Sequence, residues 1–143
     1  VEWGDLDYLI LDLPPGTGDV ALDVHELLPT CNEVIITTPH PTAAFVAARA
    51  GQMALQTDHT ILGVVENMSY FESESTGEKE YVFGRGGGDK LAEVLKTKVL
   101  GRLSLQQPYE EEDIFAPSVY QADHPNGQEY RRIAAKMIAQ LEE

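Results

Sequence analysis

Hydrophobic and polar positions follow two different periods along this chain, and the two alternate. Tyr8-Leu-Ile-Leu-Asp-Leu13 is a short, nearly continuous apolar run, the pattern of a strand buried on both faces. Val34-Ile-Ile-Thr-Thr38 and Thr60-Ile-Leu-Gly-Val-Val65 repeat it, and Lys98-Val-Leu-Gly-Arg-Leu103 does so more weakly, so four strands are predicted. Helix-length segments separate the first three: Asp19 to Leu28, stopped by Pro29, and the Ala-rich stretch from Thr42 to Gln56, opened by Pro41. Asp89 to Lys96 predicts a short helix before the fourth strand, with Asp89 as its N-cap.

The last helix has the clearest period. Tyr130, Ile133, Ala134, Met137, Ile138 and Leu141 recur at spacings of 3 and 4 behind an Asp123-His-Pro start, so this face is expected to pack on the sheet. Ser69 to Gly88 and Leu105 to Gln121 read as loops, the second carrying the acidic run Glu110-Glu-Glu-Asp113, expected to be solvated. Strand–helix–strand repeated in this way implies right-handed crossovers and a parallel sheet covered by helices, an α/β fold of three layers.

Composition narrows the function classes. The chain has 143 residues, one domain's worth, and carries a net charge of −14. That balance repels phosphate backbones and anionic membranes, so no nucleic acid and no membrane surface is expected as partner. A single cysteine, Cys31, rules out an internal disulfide and fits a reducing compartment, with the cytoplasm as default. Cys31 is expected to be a buried small apolar residue rather than a lone ligand. His25, His40, His59 and His124 stand 15, 19 and 65 residues apart, a spacing that predicts no dedicated zinc site. The N-terminus lacks a Met and a basic n-region, so the chain is expected to be part of a longer reading frame.

In open parallel sheets, ligands bind beyond the carboxyl ends of the strands. After the first predicted strand stands Asp12-Leu-Pro-Pro-Gly-Thr-Gly-Asp19. A carboxylate at the end of a buried strand suits Mg²⁺ held through water. Pro14 and its neighbour stiffen the loop, and Gly16 lets a backbone amide approach a phosphate closely. An Asp that merely ends a strand and caps a turn is the competing interpretation.

The stretch from Trp3 to Asp19 resembles, position by position, the signature of the Mrp family (ApbC-like), in the MinD/ParA/nitrogenase-iron-protein group of P-loop ATPases. The resemblance continues through Thr37-Thr-Pro39, Gly63-Val-Val-Glu-Asn-Met-Ser69, Phe83-Gly-Arg-Gly-Gly-Gly88 and Leu100-Gly-Arg-Leu103, and covers essentially the whole chain. It implies ATP and Mg²⁺ as ligands, with Asp12 holding Mg²⁺ through water and Gly16 sensing the γ-phosphate. Asn67 would read the adenine edge, for which an amide that is donor and acceptor together is suited. Backbone from Leu105 to Pro108 would flank the adenine. Residues 1–143 would be the C-terminal part of one P-loop ATPase domain that lacks its P-loop strand, and would expose a hydrophobic sheet edge open to dimerisation or aggregation.

Two departures from the family bear on function. The Gly-Lys-Gly-Gly-Val-Gly-Lys-Ser/Thr cradle is absent, and Arg85-Gly-Gly-Gly88 is no substitute, because it lacks the Gly-Lys-Ser/Thr ending and runs into Asp89. It reads as a flexible turn into a helix. Many family members also carry Cys-x-x-Cys, whose thiolates bridge two subunits around an iron–sulfur cluster; Ser73 and Thr76, in the inserted loop 69–88, stand where those cysteines would fall. Hydroxyls are poor cluster ligands. Tyr70, Phe71, Tyr81 and Phe83 in the same loop read either as a partner surface or as the packing of a hairpin-like excursion.

The expected function is thus an Mrp-like ATPase of the iron–sulfur cluster carrier family, a homodimer delivering to iron–sulfur apoproteins or other clients. These 143 residues alone are expected to bind MgATP weakly and hydrolyse it negligibly. Two alternatives stand beside it: a cluster-free MinD-like regulatory switch, and a non-enzymatic half-domain that only binds partners.

Overall fold

The computed structural model describes residues 2–73, 75–109 and 120–142. Its main sheet holds three parallel strands in the order β1-β2-β5: β1 (Asn32–Thr37), β2 (Thr60–Glu66) and β5 (Val99–Arg102). Helices α1 (Asp19–Leu27), α2 (Pro41–Gln56), α3 (Gly87–Val94) and α4 (Pro125–Leu141) connect and cover them.

Successive residues of a strand face opposite sides, and Val64 and Val65 divide the core accordingly. Val64 and Ile35 pack with Ala44 of α2 and with Leu91, Ala92 and Leu95 from α3 and its end. Val65, Leu100 and Leu103 pack on the other side with Ile133 of α4. The result is the expected three-layer α/β/α arrangement.

Proline punctuation sets the helix starts. Both α2 and α4 open on a His-Pro pair, in which proline takes the first turn and the histidine Nδ1 accepts the backbone N–H two residues on: Thr42 to His40 at 3.2 Å and Asn126 to His124 at 3.0 Å. Helix α1 ends two residues before Pro29, as the sequence predicts.

Four expectations are corrected. Residues 8–13 form no strand and are exposed, Ile10 to 85%. A strand is held by its neighbour, and the P-loop strand that the family resemblance puts beside this segment is not among these residues; β1 pairs only with β2. Helix α3 begins at Gly87, with Gly86 at φ +81° as its N-cap, because Asp89 is drawn instead to Arg102 at 2.5 Å. The loop 69–88 contains an antiparallel hairpin, β3 (Phe71–Glu72) with β4 (Lys79–Glu80). The apolar face of α4 packs through Ile133 and Met137 only, while Tyr130, Ile138 and Leu141 stay well exposed. The acidic run 110–113 lies outside the described residues.

Candidate nucleotide site

The carboxyl ends of β1, β2 and β5 converge through backbone bonds. The Asn67 N–H donates to Thr37 O at 2.8 Å, Leu103 N–H to Glu66 O at 2.9 Å and Ser69 N–H to Leu103 O at 2.8 Å. Leu105 N–H donates to Tyr70 O at 2.7 Å, so the segment leading to Pro108 runs beside the turn that carries Asn67. The Asn67 Oδ1 accepts the Met68 N–H at 2.9 Å, with Met68 at φ +52°. Its Nδ2 makes no hydrogen bond among the described residues and is the donor left for a ligand edge.

Glu66 ties this edge together from inside. It is only 3% exposed, and its carboxylate accepts the Ser69 hydroxyl and the Gly88 N–H, the latter at 2.6 Å, while Arg102 Nε stands 3.4 Å away. Burial works to lower the Arg102 pKa, and the Asp89 and Glu66 carboxylates more than offset it, so the guanidinium is held above its ordinary value.

The expectation of a flexible turn at Arg85-Gly-Gly-Gly88 is therefore replaced by a fitted one. A Cβ at Gly87 would stand 2.5 Å from Pro39 O, and one at Gly88 would stand 2.8 Å from Glu66 Oε2. The Glu66 carboxylate takes the Gly88 N–H in the first turn of α3, which closes that N–H to a phosphate.

Asp12, Pro14 and Gly16 lie in the exposed N-terminal segment; Asp12 has no hydrogen bond or ion pair among the described residues, and Gly16 has φ +96° with open space around it. The structure thus draws Asn67 and the run to Pro108 to one edge, and ties Asp12, Pro14 and Gly16 to nothing there. An Asp carboxylate free of partners fits a water-mediated Mg²⁺.

Ser73 and Thr76 sit in the turn of the hairpin. Ser73 N–H donates to Glu78 O at 3.0 Å, Ser73 Oγ and Ser75 Oγ are 3.1 Å apart, and Thr76 Oγ1 accepts the Glu78 N–H at 3.2 Å. Two of the hairpin's aromatic residues are used in its own packing, with Lys79 Nζ 4.0 Å from the Tyr70 ring centroid and the Arg85 guanidinium 3.6 Å from that of Tyr81, while Phe71 and Phe83 stay exposed.

A second polar cluster forms at the opposite, amino end of the strands, and histidine spacing gave no sign of it. Buried His25 at the end of α1, buried His59 before β2, and Glu33 of β1 bring ligand atoms within 4.8 Å of one another. Burial pushes the Glu33 carboxyl up, against the pull of His25 and His59. Cys31, half-buried beside it, has its thiol raised by burial and by Glu33.

A helix-covered parallel sheet with polar loops gathered beyond its carboxyl ends defines a class, the α/β proteins that bind ligands at that edge. A family model described as "ParA: NUBPL iron-transfer P-loop NTPase" matches residues 1–138. The chain belongs to that family. It is 64% identical over 141 residues to an iron-sulfur cluster carrier protein of Bacillus subtilis, covering 99% of this chain and 40% of the relative. It is 37% identical over 143 residues to the iron-sulfur cluster transfer protein NUBPL of Mus musculus, covering 99% of this chain and 45% of that protein. Among solved structures, an Archaeoglobus fulgidus nucleotide-binding protein in complex with ADP, with cobalt, is similar at a TM-score of 0.62 and 32% identity, over 99% of this chain and 50% of that one. The chain thus spans about two fifths to one half of the length of these proteins. None of its helices is long and apolar enough to cross a membrane among the described residues.

Proposed function

We propose that these residues carry the adenine side of the ATP site of an iron–sulfur cluster carrier ATPase, the C-terminal part of one P-loop ATPase domain. The observation that carries this is the strand-end edge, where the turn that carries Asn67, its Nδ2 free, is bonded through Tyr70 O to the Leu105 N–H that begins the run to Pro108. Asn67 binds the base edge, and residues 105–108 flank the ring. Asp12 holds Mg²⁺ through water, and Gly16 offers its amide to the γ-phosphate. Bound Mg²⁺ neutralises charge on the phosphate oxygens. Because the Glu66 carboxylate already takes the Gly88 N–H at the start of α3, the phosphates are cradled by residues outside this chain.

In the whole protein, ATP turnover opens and closes a homodimer that passes its cargo to iron–sulfur apoproteins. The test is binding of a fluorescent ATP analogue to the chain and to Asn67→Ala, with phosphate release measured alongside. Weak, adenine-dependent binding lost in Asn67→Ala, with no turnover by the chain alone, is the expected result. Binding that ignores the base or survives the substitution refutes the assignment.

A second reading, a cluster-free ATP-driven switch, is favoured by one observation: the hydroxyls of Ser73 and Thr76 are bound within the hairpin turn. Neither is a soft thiolate, so this donor set does not fit a cluster. Anaerobic iron and sulfide reconstitution of the chain's full-length parent separates the two, because stoichiometric cluster supports the carrier and its absence with intact ATPase activity supports the switch.

A further inference from the structure

We propose that His25, Glu33 and His59 form a binding site for a divalent transition-metal cation of the Zn²⁺ type, about 20 Å along β2 from the nucleotide edge. The inference rests on hydrogen bookkeeping. The Thr57 Oγ1 lies 2.8 Å from His25 Nδ1 and 2.8 Å from His59 Nδ1, and His59 Nε2 lies 3.2 Å from Leu28 O.

The Thr57 hydroxyl also lies within donating reach of Met53 O at 3.0 Å and Ala54 O at 3.1 Å. With neutral rings its hydrogen goes either to His59 Nδ1, with His59 Nε2–H on Leu28 O, or to Met53 O, and in both arrangements His25 Nδ1–H donates to Thr57 Oγ1. His25 Nε2 is then left as a bare lone pair, 2.8 Å from Glu33 Oε1. That oxygen is itself buried and lacks a hydrogen-bond partner among the described residues. Two buried acceptors face each other, an arrangement that costs free energy until a cation lies between them.

The surroundings suit a metal better than a bare proton. The His59 ring lies tilted against the His25 ring at 4.4 Å between centroids, and its Nδ1 lone pair becomes a third ligand when the Thr57 hydroxyl donates to Met53 O rather than to it. In a loaded tetrahedral site, ligand atoms stand about 3.4 Å apart, so the His25 and Glu33 atoms separate slightly and His59 closes in. His25 Nδ1 already has the orienting partner that ligating histidines use, the Thr57 hydroxyl, which itself lies 3.0 Å from Met53 O. Two histidines and one carboxylate leave a fourth position for water. The ion would join the end of α1, the start of β1 and the α2–β2 turn, adding to the Cys31 N–H bond to Leu28 O and the Asn32–Thr60 strand pairing that already link them.

The test is a Co²⁺ titration of the chain in excess Mg²⁺, followed by visible absorption and then Zn²⁺ displacement. One Co²⁺ per chain is expected, with tetrahedral-strength bands that Zn²⁺ removes. Glu33→Gln, which keeps the side chain's shape, should weaken binding by more than about 100-fold, and Thr57→Val by about 10–100-fold. Far-UV circular dichroism of Glu33→Gln identical to the parent keeps this interpretable. His40→Ser, whose hydroxyl retains the cap of α2, should bind as the parent does. Absence of saturable bands, or bands that persist in Glu33→Gln, would mean that the gap holds only a proton and would overturn the site. A sulfur charge-transfer band lost in Cys31→Ser would overturn the ligand set.

Discussion

Asn126 offers the most direct test of how the proposed adenine-side edge is held. Its side chain imitates a paired strand: Oδ1 accepts from Ser104 N–H at 3.0 Å and from Ser104 Oγ at 2.8 Å, and Nδ2 donates to Ser104 O at 2.9 Å. The two residues are 2% and 6% exposed, so water does not replace these bonds. Asn126→Ala strands the Ser104 N–H, whereas the Ser104 C=O keeps the Gln106 N–H at 3.1 Å and the Ser104 hydroxyl keeps Gln106 Oε1 at 3.0 Å. An orphaned buried group costs about 1–3 kcal/mol, and the loss should fall in that range. That is a large share of the roughly 5–15 kcal/mol that stabilises a domain. Urea unfolding followed by far-UV circular dichroism reads it directly. With a slope of about 1–3 kcal/mol/M, the midpoint should fall by about 1 M at unchanged slope. Asn126→Asp keeps an acceptor for the Ser104 N–H but sets a buried carboxylate against Ser104 O, so it should not restore full stability. A loss below about 0.5 kcal/mol would refute the view that this amide fixes the segment leading to residues 105–108.

Three further outcomes follow from the same geometry. Gly87→Ala places a Cβ 2.5 Å from Pro39 O, a backbone atom that cannot swing away, and should cost about 1–3 kcal/mol in urea unfolding. Tyr130 is held above the ordinary tyrosine range by burial and by Tyr120, with which it stacks at 5.9 Å. A raised folded value means its contribution to stability is complete below about pH 10 and is lost as pH climbs through the folded pKa, so Tyr130→Phe should remove the last-titrating phenol at 295 nm and soften the alkaline loss of stability. The double substitution Ser73→Cys and Thr76→Cys puts two thiols on the hairpin turn, and anaerobic reconstitution of the full-length parent should then yield more cluster than the unsubstituted protein; equal yields would show that this turn is not where the cargo is held.

What the sequence could show depended on how local each cause was. The starts of α2 and α4 were legible because a His-Pro pair and its cap lie within two residues, and β2 was legible because its own apolar run matches its burial. The run 8–13 has the same composition, yet it pairs with nothing, because burial of a strand depends on a neighbour that its own residues do not encode. The start of α3 moved because its partners are distant in sequence: Arg102 draws Asp89 away, and Glu66, 22 residues earlier, takes the Gly88 N–H. His25 and His59 have no metal-ligand spacing, since only the parallel pairing of Asn32 with Thr60 brings the starts of β1 and β2 side by side.

The two ends of the sheet therefore differ in what they still lack. At the carboxyl end, buried carboxylate, hydroxyl, amide and guanidinium groups are satisfied by one another, and Asn67 Nδ2 stands out as a donor without a partner. Such an edge can receive a neutral, hydrogen-bonding base but gives no charge to a triphosphate. In the proposed site, counter-charges for a triphosphate come from metal at Asp12 and from a cradle beyond these residues, so base binding and hydrolysis should separate in this chain. At the amino end the lack is of the opposite kind: Glu33 Oε1 is buried without a hydrogen-bond partner among the described residues, 2.8 Å from His25 Nε2. Such a pair of acceptor atoms suits the proposed cation and not a nucleotide.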